Sequence, residues 1–383
     1  MGRGPVGLRA ELVDFLHRRK ADLAARLGRP VELCTEHARI HRQIAVQEAS
    51  REVFPNLLAS RFYGEEQTIL LHHEPASLYE LDDVWVVGED GVVFFDMGHA
   101  LGVCHHVRGK FPGKARRPIR SLAARQAEPV FVLRGRSCEN RAHFLLEHLP
   151  RFVSARRFLD EAGGVKLLLS PGHRSWQRGL LEKLGVHASQ LVEESIGTTF
   201  CAKAYYVPLL TSDNSRILGP SALYHELAQQ LAGGAPPVKR EGVLFVSRND
   251  APERRLANER EVVALYEEIF GAVEVVRMSE LAPAEQVERF RRAAIVTGAH
   301  GQGLRNVLFA SGALFVQLCE GARLREDRRS AWESAFACLA LMRGNRAINL
   351  YSETDLDARG SWHFPARRLR ASLERIRELD ART

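Results

Sequence analysis

Between residues 242 and 350 the chain alternates short, wholly apolar runs with amphipathic stretches of helical period. The runs at 243–246, 273–277, 294–297, 314–318 and 347–350 read as strands. The stretches 258–270, 283–292, 304–310 and 331–342 read as the helices between them. Strands that are apolar at every position are buried on both faces, and their alternation with helices predicts a doubly wound parallel sheet.

Upstream the pattern is different. Runs at 68–71, 84–87 and 92–95 are separated by turn signals such as Glu89-Asp90-Gly91, which predicts an antiparallel meander. Strands follow at 129–134, 165–169, 190–194 and 200–207, with helices at 140–159 (broken or begun near Pro150), 175–184 and 220–232. Residues 1–30 read as a polar helix. Gly233-Gly234 ends a helix and Ala235-Pro236-Pro237 reads as a linker. The predicted domains are therefore 1–234 and 235–355, the latter Rossmann-like, with a terminal helix over 356–383. That helix is Arg-rich and carries Leu369, Leu373, Ile376 and Leu379 on one face, a face for ordinary packing or, alternatively, for a membrane surface.

The 383 residues suit two cores, and 45% apolar with 26% charged residues is a globular balance. Cys34, Cys104, Cys138, Cys201, Cys319 and Cys338 are far apart with no CxxC pair, so buried thiols in a reducing compartment are expected rather than zinc fingers or disulfides. No apolar run approaches the ~20 residues of a membrane span. The basic N-terminus lacks the apolar stretch of a signal peptide, and Val6 stands where N-myristoylation after Gly2 needs Ser or Thr. A cytoplasmic location is expected, with the inner face of a membrane within reach. The net charge of +7 is concentrated between Leu101 and Arg136, where nine Lys/Arg (Arg108, Lys110, Lys114, Arg116, Arg117, Arg120, Arg125, Arg134, Arg136) face one acid, Glu128. Such a field attracts phosphates or an anionic glycan; otherwise it is a solvated loop.

In open parallel sheets ligands bind beyond the carboxyl ends of the strands. Ser247-Arg248-Asn249 follows the first C-terminal strand, His300-Gly301-Gln302-Gly303 the third, and Cys319-Glu320-Gly321 the fourth. Gly301 and Gly303 allow close backbone approach, and the helix that follows directs free N–H groups at an anion. Arg248 can fork onto diphosphate oxygens, His300 can add a donor, and Glu320 can accept from ribose hydroxyls. Together they describe a nucleoside-diphosphate site. Each alone also has an ordinary structural reading, in packing or on the surface.

The strings Phe245-Val246-Ser247-Arg248, Arg255, Asn258-Glu259, Glu285-Gln286 and His300-Gly301-Gln302-Gly303-Leu304-Arg305-Asn306 resemble those of glycosyltransferase family 61. Asn140-Arg141-Ala142-His143, Glu147 and Leu149-Pro150-Arg151 resemble the family's N-terminal-domain motif, and the likeness runs from about residue 81 to 350. The resemblance implies an α/β fold of GT-B type, two Rossmann-like domains facing a central cleft. It implies inverting transfer from a nucleotide-sugar, often a UDP-sugar, to a glycan or lipid-linked acceptor, in bacteria often in capsule, exopolysaccharide or lipopolysaccharide assembly. Ser247, Arg248, Arg255, Asn258, Glu259, His300, Gly301, Gly303, Asn306 and Glu320 are the expected donor residues. The family loop reads His-Gly-Ala-Gly-Leu-Thr-Asn; here Gln302 and Arg305 replace Ala and Thr and add polar reach, and Glu147 stands where many members carry Asp.

An inverting transfer needs a base for the acceptor hydroxyl and positive charge at the leaving diphosphate. His143 and Glu147 are i, i+4 on one helix face, so one is expected as the base and the other as its support. The cluster with His148 is not HExxH, and Asp355-Leu356-Asp357, the only Asp-x-Asp triplet, falls late in a polar stretch. No metal and no cofactor beyond the nucleotide-sugar are expected. Gly109-Lys110-Phe111-Pro112-Gly113-Lys114 is one residue short of a P-loop, and no GxGxxG follows the first strand. No nucleic-acid partner is expected, since no helix-turn-helix, zinc or RRM signature is present and the loop-rich basic stretch 104–128 has only Phe111 as an aromatic. The alternative function is a non-catalytic nucleotide- or glycan-binding scaffold.

Overall fold

The computed structural model of the protein describes residues 32–60, 66–96, 99–102, 123–170, 175–192, 197–210, 218–234, 238–321 and 334–380. The helix expected over 1–30, the 235–237 linker, Cys104 and most of the basic segment lie outside these residues. Two compact units are present, one formed by Met1–Ala49 with Glu74–Leu210 and the other by Ser50–His73 with Thr211–Thr383.

The first unit is built on a mixed sheet. Its strands run in the order Glu32–Cys34, His99–Leu101, Val92–Phe94, Ala76–Val87, Thr198–Tyr206, Val130–Val132, Lys166–Leu168 and Leu191–Val192. From Val92–Phe94 to Thr198–Tyr206 neighbours are antiparallel. From Thr198–Tyr206 to Leu191–Val192 they are parallel. Period-2 alternation along Ala76–Val87 sends Val84 and Val86 into one core cluster and Trp85 and Val87 into another, so this part of the sheet is covered on both faces. Only the parallel half has the character of a Rossmann-like sheet.

The second unit carries the doubly wound sheet read from the sequence. Its strand order is Val273–Val276, Glu241–Val246, Ala293–Ala299, Leu314–Cys319, Arg346–Tyr351, Ser50–Ser60, Glu66–His73. Pairing is parallel up to Ser50–Ser60 and antiparallel only for the last strand. Numbered along the chain from Glu241, the first five strands take the order 2-1-3-4-5. One expectation is corrected here: the apolar run at 68–71 does not join a meander with Val84–Val87. It pairs with Ser50–Ser60, whose other neighbour, toward the middle of the sheet, is Arg346–Tyr351, most of the chain away. Periodicity identifies a strand but not a partner so distant in sequence.

Leu369, Leu373 and Ile376 of the terminal helix Ala366–Asp380 are buried in the same core as Phe245, Val262, Tyr266 and Val316. That face is occupied by the protein's own core, which removes the membrane-surface alternative for this helix. Among the described residues no helix is long and apolar enough to cross a membrane. Cys138, Cys201, Cys319 and Cys338 are buried free thiols, and Cys34 is half-buried. Because Leu373 is fully buried, Leu373→Ala should destabilise the protein by about 2–5 kcal/mol in urea unfolding, the cost of lost burial plus a cavity. A helix merely resting on the surface would lose far less.

Candidate active site

In the second unit the carboxyl ends of Glu241–Val246 and Ala293–Ala299 lie side by side, and Val246 pairs with Gly298. The chain leaves the first of these strands toward Val273–Val276 and the second toward Leu314–Cys319, on opposite sides. Diverging crossovers open a crevice at this point, which is where open α/β sheets bind ligands. Ser247-Arg248 and His300-Gly301 are the residues that the two strands deliver there.

Their packing is close. A methyl group on Gly301 would sit 1.6 Å from Arg248 Nη1 and 2.9 Å from its Cδ, so the guanidinium lies against the bare backbone of the turn. Gly301 itself is extended (φ 174°), and its requirement is space rather than an unusual backbone conformation. On Gly303 the same methyl would meet Val246 Cγ1 at 2.8 Å and Met278 Cγ at 3.0 Å. The turn then enters a 3-10 helix, Gln302–Phe309, with Gly301 at its start. Both substituted positions of the loop are accounted for: Gln302 is exposed, and Arg305 is buried with Nη1 donating to Gln302 O at 2.7 Å.

Several residues expected at the donor site make hydrogen bonds that hold the crevice in shape. Glu259 Oε1 accepts from Ser247 Oγ at 2.8 Å and from Asn249 Nδ2 at 2.7 Å, which fixes the loop after the first strand to the start of helix Glu259–Phe270. Burial raises the Glu259 pKa, and the hydrogen bonds from Ser247 and the Arg248 amide only partly offset it. Asn258 donates to Phe364 O at 2.8 Å and accepts from Phe364 N–H at 3.0 Å, beside a parallel pairing of Arg255–Leu256 with Ser361–Trp362. Asn306 is buried and donates to Gln286 Oε1 at 2.9 Å, while Gln286 Nε2 donates to Met278 O and Leu281 O. Glu320 follows its strand at the same sheet edge but is only 2% exposed. Arg255 is half-buried, and its Nε has no acceptor among the described residues.

The position of His300 depends on residues that sequence reading missed. Its Nδ1 lies 3.2 Å from Gln317 Oε1, and Gln317 Nε2 donates to Asn349 Oδ1 at 3.2 Å. Gln317 and Asn349 are register partners in adjacent parallel strands and both are buried. The signal was present as one amide in the middle of each of two apolar runs, LFVQLC and RAINLY. In this arrangement His300 donates through Nδ1, and its ring faces Phe336 at 5.6 Å between centroids.

In the first unit, Val130–Val132 and Lys166–Leu168 are parallel, and the connection between them begins at the carboxyl end of the former. Asn140 caps it, its Oδ1 accepting from Ala142 N–H at 2.9 Å. One turn, Arg141–His143, leads into a π-helical turn, Phe144–His148, and then into helix Leu149–Ala162. Such wide turns often mark functional sites. His143 Nδ1 and the Glu147 carboxylate are hydrogen-bonded, with Glu147 buried beneath a partly exposed ring. Burial alone would lower the His143 pKa; the hydrogen bond and charge of Glu147 outweigh it and leave the pKa raised. The carboxylate holds the Nδ1–H tautomer and leaves Nε2 as the basic atom.

Behind this pair is a buried network. Arg151 donates from Nε to Val207 O at 2.6 Å and from Nη2 to Val132 O at 2.9 Å, so it ties the ends of two strands together. Its Nη1 lies 3.3 Å from His148 Nδ1, and His148 Nε2 lies 3.0 Å from Arg136 O. Gly135 is where this network meets the strand end, since a methyl there would be 2.4 Å from His148 Cε1. Arg134, counted above in the basic segment, is 1% exposed with Nε donating to Leu169 O at 3.1 Å, so it belongs to the core rather than to a charged surface. Arg125 lies over the Phe200 ring at 5.6 Å. Asp357, of the Asp-x-Asp triplet, accepts from the Arg359 and Ser361 amides at 2.8 Å each in a turn.

Residues 142–314 match a family model described as Glycosyltransferase 61. The span contains His143, Glu147 and all the second-unit residues discussed up to Asn306; Glu320 lies beyond it. No curated protein matches the chain. NMR titration should find the His143 ring titrating above the ordinary 6.5, and Glu147→Gln should lower that value by removing the charge that raises it. An unchanged His143 in the variant would mean the pair is not coupled.

Proposed function

Residues 142–314 belong to glycosyltransferase family 61, and from that premise we propose that the protein is an inverting glycosyltransferase. In this reading it takes a nucleoside-diphosphate sugar, a UDP-sugar foremost, and transfers the sugar to a glycan or glycolipid of a surface polysaccharide. The observation that carries the reading is the contact of Arg248 with Gly301 at the crevice between the first and third strands of the second sheet. A diphosphate seated there meets a guanidinium fork, the amides of the 301–303 turn and the His300 ring. Ser247, Glu259, Asn258 and Asn306 serve the donor indirectly, by holding the loops that carry Arg248 and the turn.

The chemistry is a single displacement. The acceptor oxygen bonds to the anomeric carbon as the bond from that carbon to the diphosphate oxygen breaks, on the opposite face. The acceptor proton passes to His143 Nε2, with Glu147 stabilising the imidazolium that forms. The leaving diphosphate keeps the electron pair and is stabilised by Arg248 and the turn amides, so that no metal is required at this step. The reading treats the two units as the halves of a GT-B type enzyme working at the cytoplasmic side of a membrane, across a central cleft.

Calorimetric titration with UDP, GDP and CMP, with and without magnesium, tests the donor site. We expect one nucleoside diphosphate to bind without magnesium, and Arg248→Ala to weaken it by about tenfold or more, the loss of a charge-assisted contact. Gly301→Ala should weaken binding as well, with little loss of stability, because the methyl displaces only the far end of a flexible side chain. Failure of every nucleotide to bind would sink the transferase reading and favour a glycan-binding scaffold.

A further inference from the structure

A second cluster of chemically capable side chains lies at the opposite edge of the first unit's sheet, several strands from His143 and Glu147. Strand Glu32–Cys34 pairs in parallel with His99–Leu101, and the register sets Glu32 beside His99. Two sets of local hydrogen bonds converge on that edge. In one, Ile40 N–H donates to His37 O at 2.9 Å. In the other, Phe95 N–H donates to His99 O at 2.9 Å, and Asp96 Oδ1 accepts from His99 N–H at 2.9 Å. The His37 ring stacks on Phe95, 4.2 Å between centroids and 3° from coplanar, which fixes its direction.

The result is two imidazoles and a carboxylate, all half-buried, whose ligand atoms lie within 4.8 Å of one another. His99 Nδ1 is 2.8 Å from Asp96 Oδ2, and His99 Nε2 is 3.6 Å from Glu32 Oε2. Ligand atoms on a tetrahedral zinc stand about 3.3 Å apart, given bonds of about 2.0–2.1 Å, so side-chain rotation must close the cluster by no more than roughly 1.5 Å. His37 is suited to ligation. The stacking on Phe95 holds its ring in place, and its Nδ1 accepts from the Arg39 amide at 3.2 Å. Two nitrogens and one or two carboxylate oxygens favour a borderline ion such as Zn2+ over Mg2+ or Ca2+, which prefer all-oxygen sites.

We infer that His37, Asp96 and His99 form a three-ligand divalent transition-metal site of zinc type, with solvent completing the coordination. It would tie His37, which follows the edge strand Glu32–Cys34, to Asp96 and His99. This inference is independent of the transferase reading, because it involves none of the donor or base residues.

The test is titration of the purified, metal-stripped full chain with Co2+, read by the visible d–d absorption of the bound ion, followed by displacement with Zn2+. One Co2+ per chain is expected to develop absorption that Zn2+ abolishes, and Zn2+ should raise the Tm. Asp96→Asn and His37→Gln, chosen because neither empties the core, should weaken Co2+ binding by about 10–100-fold while circular dichroism stays native. His99→Ala should abolish it. Absence of a cobalt spectrum in the wild type would overturn the inference. So would a spectrum unchanged in Asp96→Asn and His37→Gln, since binding would then lie at other histidines or cysteines.

Discussion

The pairing of Glu241–Val246 with Val273–Val276 on one side and Ala293–Ala299 on the other is the constraint on which the site depends. With the first strand between the second and third, successive crossovers must leave toward opposite sides, and a crevice remains where they part. Ser247-Arg248 and His300-Gly301 reach that crevice only because their strands are parallel neighbours in register, Val246 beside Gly298. The contact of the guanidinium with a residue lacking a side chain follows from this register, and so does the use of Glu259, Asn258 and Asn306 as braces.

The first unit applies the same rule in a smaller parallel block. His143 and Glu147 follow the carboxyl end of Val130–Val132, with an Asn cap before them and a wide turn beneath. Here the braces are cationic. Arg151 directs its donors to the main-chain oxygens of Val132 and Val207, and His148 fills the space left open by Gly135. A buried guanidinium needs every nearby acceptor it can find, because desolvation penalises an incompletely bonded charge. Substitutions at Arg151 would therefore loosen strand ends as well as the helix that carries His143.

Much of the second unit was legible in the sequence because its strands are apolar at every residue and its helices are amphipathic. Burial on both faces leaves that pattern and no other. The crevice residues were legible by position, since residues after a strand's carboxyl end are the ones a parallel sheet presents. Their hydrogen bonds within the protein were not, as with those of Glu259 to Asn249 and Asn306 to Gln286. Gln317 could not be tied to His300 without the register of two strands. The run at 68–71 was misassigned because the strand it pairs with, Ser50–Ser60, joins Arg346–Tyr351 near the other end of the chain. Arg134 passed for surface charge because sequence counts charges and does not show which are buried.

Hydrogen exchange with and without UDP tests the central claim most directly, because it reads the backbone of the crevice itself. The account predicts slower exchange at the amides of residues 247–249 and 301–306 when UDP is present, with the 140–148 helix start unchanged while no acceptor is bound. Slowing confined to other strand ends, or none at 301–306, would contradict the assignment of this turn as the diphosphate site.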